Sequence, residues 1–259
     1  MRFRPCIDIH NGKVKQIVGG SLKDAGDQAR ENFVSEQDAA FYASLYKEAG
    51  LGGGHVILLN PESSPYFEET REQARKALKT FPGGLQIGGG VRADNAQQYL
   101  DAGASHVIVT SYVFRDGSLC WENLEKIERE TGKEHLVLDL SCRKRDGAYY
   151  IVTDRWQKFT DVEVTPERMR ELGSHCDEFL IHAVDVEGKA SGIETELAEI
   201  LAEYGEKPVT YAGGVGSMED IRLLNVYGKG LLDVTVGSAL DLFGGTIPFS
   251  ELKKLDKML

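Results

Sequence analysis

Two aspartates and two glycine-rich loops are the residues of this sequence best suited to chemistry. Gln86-Ile-Gly-Gly-Gly-Val-Arg-Ala-Asp-Asn95 reads like Tyr211-Ala-Gly-Gly-Val-Gly-Ser-Met-Glu-Asp220. Each run lies between a short apolar stretch and an amphipathic one. Glycine lets backbone N–H groups approach an anion closely, and a helix N-terminus just beyond favours negative charge. Gly89, Gly90 and Arg92, and in the second run Gly213 and Gly214, are therefore phosphate-binding candidates. Each loop is followed by another apolar stretch ending in small residues, Thr110-Ser111 in one half and Gly237-Ser238 in the other. One glycine pair alone would be an ordinary turn. Two such cups imply a ligand with a phosphate at each end.

Asp8 lies in Cys6-Ile-Asp-Ile9 and Asp139 in Val137-Leu-Asp-Leu140, near the ends of two apolar runs. Set between two phosphate cups, one carboxylate would act as general base and the other as general acid. That division requires environments that push their pKa values apart. The plainer reading is a strand-end aspartate that caps, or pairs with Lys13 or Arg143.

Short apolar runs at Arg4–Ile9, His55–Leu59, Leu85–Ile87, His106–Val109, His135–Leu140, Glu178–Ile181, Val209–Tyr211 and Asp233–Val236 predict strands. Helical patterns at Gln37–Ala49, Glu68–Thr80, Asp94–Ala102, Trp121–Thr131, Thr165–Leu172, Glu194–Tyr204 and Ser217–Tyr227 lie between them. The alternation predicts parallel βαβ units, and eight strands close a (β/α)8 TIM barrel of the α/β class. A doubly wound open sheet is the alternative. No Pro/Ser-rich linker divides the chain, so one barrel domain over residues 1–259 is expected. The glycine loops, the small-residue strand ends and the two aspartate strands each recur at nearly one offset, about half the chain. The barrel is thus expected to be two half-barrel repeats.

Barrel active sites lie on the loops that follow the strands. Two such loops are long. Val14–Asn32 is polar and contains Gly19, Gly20 and Gly26; Cys142–Asp161 has hairpin character, with Asp146-Gly147 as its turn. Both are candidate lids. Asp94 and Ser217 are expected to cap the helices after the glycine loops, and Thr165-Pro166 to start another.

The net charge of −11 argues against a general nucleic-acid binder, whose affinity comes from neutralising phosphates. No run approaches the roughly 20 apolar residues that cross a bilayer, and the N-terminus does not read as a signal peptide. A cytoplasmic protein with no membrane partner is expected. Cys6, Cys120, Cys142 and Cys176 form no metal-type spacing and read as buried free thiols.

Five segments taken together resemble one family. They are Cys-Ile-Asp-Ile-His-Asn-Gly-Lys-Val (6–14), Gln-Ile-Gly-Gly-Gly-Val-Arg (86–92), Val-Leu-Asp-Leu-Ser-Cys-Arg-Lys (137–144), Phe-Leu-Ile-His-Ala-Val-Asp-Val-Glu-Gly (179–188) and Tyr-Ala-Gly-Gly-Val (211–215). In this order they resemble the phosphoribosylformimino-5-aminoimidazole carboxamide ribotide isomerases of histidine biosynthesis. The Trp156-Gln157 pair and Asp241–Gly245 are similar to the branch typical of eukaryotes. The resemblance implies an Amadori rearrangement of an N-linked aminoaldose to an aminoketose. It implies Asp8 as the base at the sugar C2′, Asp139 as the acid that opens the ring, and no metal or organic cofactor. It implies a small bis-phosphorylated substrate, and a monomer is expected.

The chain departs from the bacterial pattern at Leu58-Leu59-Asn60-Pro61, at His182-Ala183 where Thr-Asp is usual, and at Val186-Glu187-Gly188. Glu187 or Asp185 thus competes for a share of the acid role. Glu187 and Gly188 join the substrate-binding candidates. His182 either polarises the sugar or is a barrel-wall histidine bonded to a carbonyl. Trp156 either stacks on the substrate's imidazole or packs within a lid. Two rivals stand beside the isomerase. One is the sister cyclase of the pathway, which Leu22-Lys-Asp-Ala-Gly-Asp27 resembles; the other is a silent phosphosugar-binding barrel.

Overall fold

A computed structural model describes residues 1–17, 21, 29–154 and 156–255. Gly19, Gly20, Gly26 and the segment from Leu22 to Asp27 lie outside the described residues.

Eight parallel strands form the ring: β1 (Cys6–His10), β2 (Gly54–Leu58), β3 (Leu85–Gly88), β4 (His106–Val109), β5 (Leu136–Asp139), β6 (Glu178–His182), β7 (Val209–Ala212) and β8 (Leu232–Val234). Each pairs with its neighbour in chain order. The ring closes where Arg4 N donates to Val234 O at 2.8 Å and Val234 N donates to Arg2 O at 3.0 Å. That closure excludes the open doubly wound sheet. Helices α1 (Ala39–Glu48), α2 (Phe67–Thr80), α3 (Ala96–Asp101), α4 (Trp121–Thr131), α5 (Pro166–Gly173), α6 (Thr195–Tyr204), α7 (Met218–Tyr227) and α8 (Phe249–Leu252) follow the strands in order.

The two-residue alternation of each strand divides its side chains between two cores. Outward residues such as Ile7, Ile9, Ile87, Val107, Leu138 and Tyr211 are buried beneath the helices. Inward residues Ile57, Ile108, Val137, Leu180 and Ala212 fill a smaller core inside the ring. Each buried aliphatic side chain contributes about 1.5–3 kcal/mol, which holds the barrel wall against both layers. Below the inner core, the buried Arg4 donates to Asp233 at 2.9 Å and to Glu178 at 3.4 Å, and Gln86 donates to Glu178 at 2.7 Å. Above it stand Asp8, Asp139 and His182.

Local chemistry fixes several helix starts. Thr165 accepts from Arg168 N at 3.2 Å with Pro166 in the first turn, as expected. Ser217 and Asp220 form a reciprocal capping box on α7. Asp94 does not cap α3. The residue before that helix is Asn95, whose side chain ties the loop instead: it accepts from Arg92 N at 2.8 Å and donates to Gly90 O at 3.0 Å.

The two long loops carry antiparallel arms. Lys13–Ile17 turns back on β1 and pairs with Glu31–Val34, so both ends of the first loop are strand rather than irregular chain. After β5, Cys142–Arg145, Ala148–Thr153 and Lys158–Glu163 form a three-stranded sheet, with Asp146 and Gly147 in left-handed conformations at its first turn. The arms therefore stand after β1 and β5, at matching places in the two halves.

Candidate active site

The two glycine loops share one backbone geometry. Gly89 and Gly90 have φ of 99° and 69°; Gly213 and Gly214 have 112° and 78°. The reason is close packing on the end of the preceding strand. A Cβ on Gly89 would lie 2.1 Å from Leu58 O, beside β2, and one on Gly213 would lie 2.8 Å from Ala183 O, just past β6. The two loops thus lean on equivalent carbonyls half a chain apart. Arg92, in the first loop, is held by Glu62 at 3.0 Å and Asp94 at 3.1 Å, so its charge is already shared between two carboxylates.

The small residues after β4 and β8 divide their tasks. Thr110 Oγ1 donates to Asp139 Oδ2 at 3.2 Å, which places this hydroxyl on the aspartate. Ser111 is exposed, and its Oγ accepts from Asp154 N of the fifth arm at 3.4 Å. Gly237 and Ser238 are half-buried after β8. A Cβ on Gly237 would meet Gln16 Oε1 of the first arm at 2.4 Å, so a side chain there would displace the Gln16 amide. Gly188 O accepts from Asn32 Nδ2 of the same arm at 3.4 Å.

Asp8 and Asp139 sit in opposite electrostatic settings. Asp8 is half-buried with a weak donor, Gln16 Nε2, at 3.5 Å. Burial, reinforced by the negative charge of Glu187 and opposed by His182, pushes its pKa up to about 7. Asp139 is buried and well served. Its Oδ1 accepts from Ser141 N at 2.9 Å and Ser141 Oγ at 2.7 Å, and His182 Nδ1 lies at 3.4 Å. Burial favours its neutral form, but the His182 charge and these donors outweigh that and hold Asp139 below the usual carboxylate range. Asp139 is thus the ionised partner of the two. Neither aspartate pairs with Lys13 or Arg143 among the described contacts; Arg143 instead binds Asp185 at 2.8 Å.

Among the described residues His182 has no carbonyl partner. It faces Asp139 and Ser141 Oγ, at 3.3 Å, through Nδ1. Burial opposes its charge, yet Asp139 foremost, with Glu187 and Asp8, raises its pKa to about 9. Trp156 closes over it, with ring centroids 5.8 Å apart and planes inclined at 43°. Trp156 is held there with φ of 69°, a region few non-glycine residues adopt. Glu187 has a buried Oε2 with no partner among the described residues, and burial raises its pKa. Asp185 accepts from Arg143 Nε at 2.8 Å and from Lys144 N at 2.9 Å.

Three residues of this site had no role in the sequence reading. Gln16 comes from the first arm and Ser141 lies two residues past Asp139. His55 stands on β2 with its ring 6.2 Å from that of His182, and burial drives its pKa down to about 3, so it is neutral. Ser141 was open to discovery, since a hydroxyl two residues beyond a strand-end aspartate commonly bonds back to it. The other two act across strands, and nothing local marks them.

A sequence profile described as "Histidine biosynthesis protein" matches residues 2–247. Among similar proteins is the chloroplastic 1-(5-phosphoribosyl)-5-((5-phosphoribosylamino)methylideneamino) imidazole-4-carboxamide isomerase HISN3 of Medicago truncatula, 52% identical over 97% of this chain and 80% of its own. The isomerase of the same name from Yarrowia lipolytica is 46% identical over 96% of both chains. That of Saccharomyces cerevisiae is 42% identical over 95% of this chain and 94% of its own.

Proposed function

The chain belongs to the histidine biosynthesis protein family, and we propose that it isomerises the N-linked aminoaldose of a bis-phosphorylated imidazole carboxamide ribotide to the aminoketose. The observation that carries this reading is the matched pair of left-handed glycine loops, with two aspartates of opposite electrostatic character between them. The loops suit a ligand with phosphate at both ends. The Amadori rearrangement needs one group to accept the C2′ proton and another to protonate the ring oxygen.

Asp8 takes the base role. A carboxylate with a pKa near neutrality is a stronger base than an ordinary one and is still ionised in a large share of molecules at pH 7 to 8. The acid role falls to the Asp139 side of the site. Gly89, Gly90, Ser111, Gly213, Gly214, Gly237 and Ser238 hold the phosphates through backbone and hydroxyl donors, with Arg92 and Gly188 at the rim. Trp156, carried over the mouth by the fifth arm, covers the sugar and excludes water. Proton transfers of this kind need an acid and a base alone, so the proposal includes no metal or organic cofactor. It includes a cytoplasmic monomer of one barrel domain, and sedimentation of the purified protein checks the monomer. Among the described residues no helix is long and apolar enough to cross a membrane.

Conversion of the synthetic aldose ribotide by purified protein, followed by absorbance and chromatography, tests the reading. Formation of the ketose supports it. Ammonia-dependent formation of an imidazole from the ketose, with no isomerisation, would make the chain a cyclase.

A further inference from the structure

The proposed reaction needs a proton donor at neutral pH, and Asp139 is a poor one. Against the pull of burial, the His182 charge and its hydrogen-bond donors hold it below the usual carboxylate range, which favours the ionised form at neutral pH. Its hydrogen bonds agree. Both oxygens accept, from Ser141 N, Ser141 Oγ and Thr110 Oγ1, with His182 Nδ1 alongside, which is the pattern of a carboxylate. His182 is placed to be the other half of that pair. Its Nδ1 faces the carboxylate, while its Nε2 has no hydrogen-bond partner among the described residues. The ring is fixed between Trp156 of the fifth arm and His55 of β2.

We infer that His182 is the catalytic acid, donating from Nε2, and that Asp139 is the positioning residue that keeps its imidazole charged and oriented. The inference rests on the isomerase reading and refines it. His182 gives its Nε2 proton to the ring oxygen as the C1′–O bond breaks. The bond's electron pair stays on that oxygen, and the nitrogen lone pair forms a C1′=N iminium. Asp8 then takes the C2′ proton; the C–H pair becomes the C1′=C2′ bond and the iminium pair returns to nitrogen. Finally Asp8 gives its proton to C1′, while the C2′ hydroxyl proton returns to His182 as the carbonyl forms. Both groups end as they began, and no oxidant or further reactant is needed.

Every charged or titratable group facing the ring has a part in this. Asp139 of β5 supplies the main attraction, and Glu187 beyond β6 and Asp8 of β1 add to it. His55 of β2, neutral through burial, adds no repulsion in the working range. Activity should therefore decline on the alkaline side as His182 loses its proton near pH 9.

Two experiments on the full chain test this. In kinetics, His182→Gln should lower kcat by about 10²–10³-fold, with KM within about threefold, and should abolish the alkaline limb near pH 9. His182→Ala should regain turnover when imidazole is added. In NMR, ¹⁵N-histidine-labelled wild-type protein should show both His182 ring nitrogens protonated at pH 7. In Asp139→Asn the ring should be neutral at that pH. A His182→Gln enzyme with unchanged kcat, or one retaining the wild-type alkaline limb, would overturn the proposal. So would a wild-type His182 that is neutral at pH 7, a result that stands even where a variant fails to fold. Absence of isomerase turnover in the wild type would sink the functional reading instead, and the NMR titration would still report on the pair.

Discussion

Gly89→Ala should damage substrate binding far more than Gly90→Ala, although the two residues are neighbours with similar φ. At Gly90 an added methyl meets nothing within 4 Å, so its cost is the left-handed backbone alone, about 1–2 kcal/mol of stability. At Gly89 the methyl would lie 2.1 Å from Leu58 O. Carbon and oxygen in contact need about 3.3 Å or more, so the two must separate by roughly 1.2 Å. Leu58 cannot easily give way, because it is paired in register with Ile9 of β1, and Leu59 N beyond it donates to Ile9 O at 2.9 Å. The loop must move instead. Its N–H donors then leave the 2.7–3.1 Å range in which they are effective, and a misplacement of about 1 Å costs on the order of 10²-fold. Steady-state kinetics on the aldose ribotide should show kcat/KM reduced about 10²-fold in Gly89→Ala and less than about fivefold in Gly90→Ala. Urea unfolding of both variants separates local from global damage. Equal kinetic losses in the two, or a Gly89→Ala enzyme that is less stable but binds normally, would refute the idea that close packing on β2 sets the phosphate donors.

Further expectations concern both ends of the barrel. Asp8→Asn should cut turnover by about 10²–10⁴-fold. It should also stabilise the protein at pH 8. The folded-state pKa of Asp8 is raised, so the native protein favours the protonated form; stability is lost as pH rises from 3.8 through about 7, and the ionised group is unfavourable above that. Replacing it by a neutral amide should recover between about 1 and 4 kcal/mol at pH 8, measured by urea unfolding at pH 5 and pH 8, with a smaller gain at pH 5. The same pKa predicts an acidic limb in kcat/KM near pH 7, with a tenfold loss per unit below it; a flat profile down to pH 5 would remove Asp8 from the base role. Arg4→Met leaves Glu178 buried without its cation and takes from Asp233 one of its two arginines, and should cost about 3–5 kcal/mol by urea unfolding while leaving KM unchanged.

Much of the scaffold could be read from periodicity and glycine chemistry. The expected strands and helices fall within two or three residues of those found, because each carries its own signal along the chain. The four-residue helix Phe249–Leu252 completes barely one turn and offers no such signal. The first arm was hidden for another reason. Val14, Lys15 and Gln16 are all buried although two of them are polar, since Lys15 pairs with Glu31 and Gln16 reaches Cys6 and Asp8. At the site, strand-end position identified Asp8 and Asp139, and repetition identified the glycine loops. Which oxygen receives which donor depended on strands far apart in sequence. The Thr110 hydroxyl reads like half of a phosphate cup and proves to bond Asp139, and His182 faces the same carboxylate across two strands.

The same elements build both ends of this barrel, and the satisfaction of their polar groups differs between the two. At the base, Arg2, Arg4, Gln86, Glu178 and Asp233 form one network; among the described residues no buried side-chain atom of the five lacks a partner, and two arginines balance two carboxylates. Such a network resists rearrangement, which suits a place where first and last strands must be joined. At the mouth, Glu187 keeps a buried oxygen without a partner among the described residues, burial pushes the Asp8 pKa up to about 7, and Trp156 accepts an unfavourable backbone. A fold at its stability optimum would remove all three. Their presence on one face, beside the twin glycine loops, is what a site held ready for a ligand requires, because the ligand then supplies the missing partners. Glu187 bears on this directly. If a hydroxyl of the bound sugar completes its bonding, Glu187→Ala should stabilise the empty enzyme while raising KM by about tenfold or more, and a variant that loses stability without changing KM would show that its strain serves the fold instead.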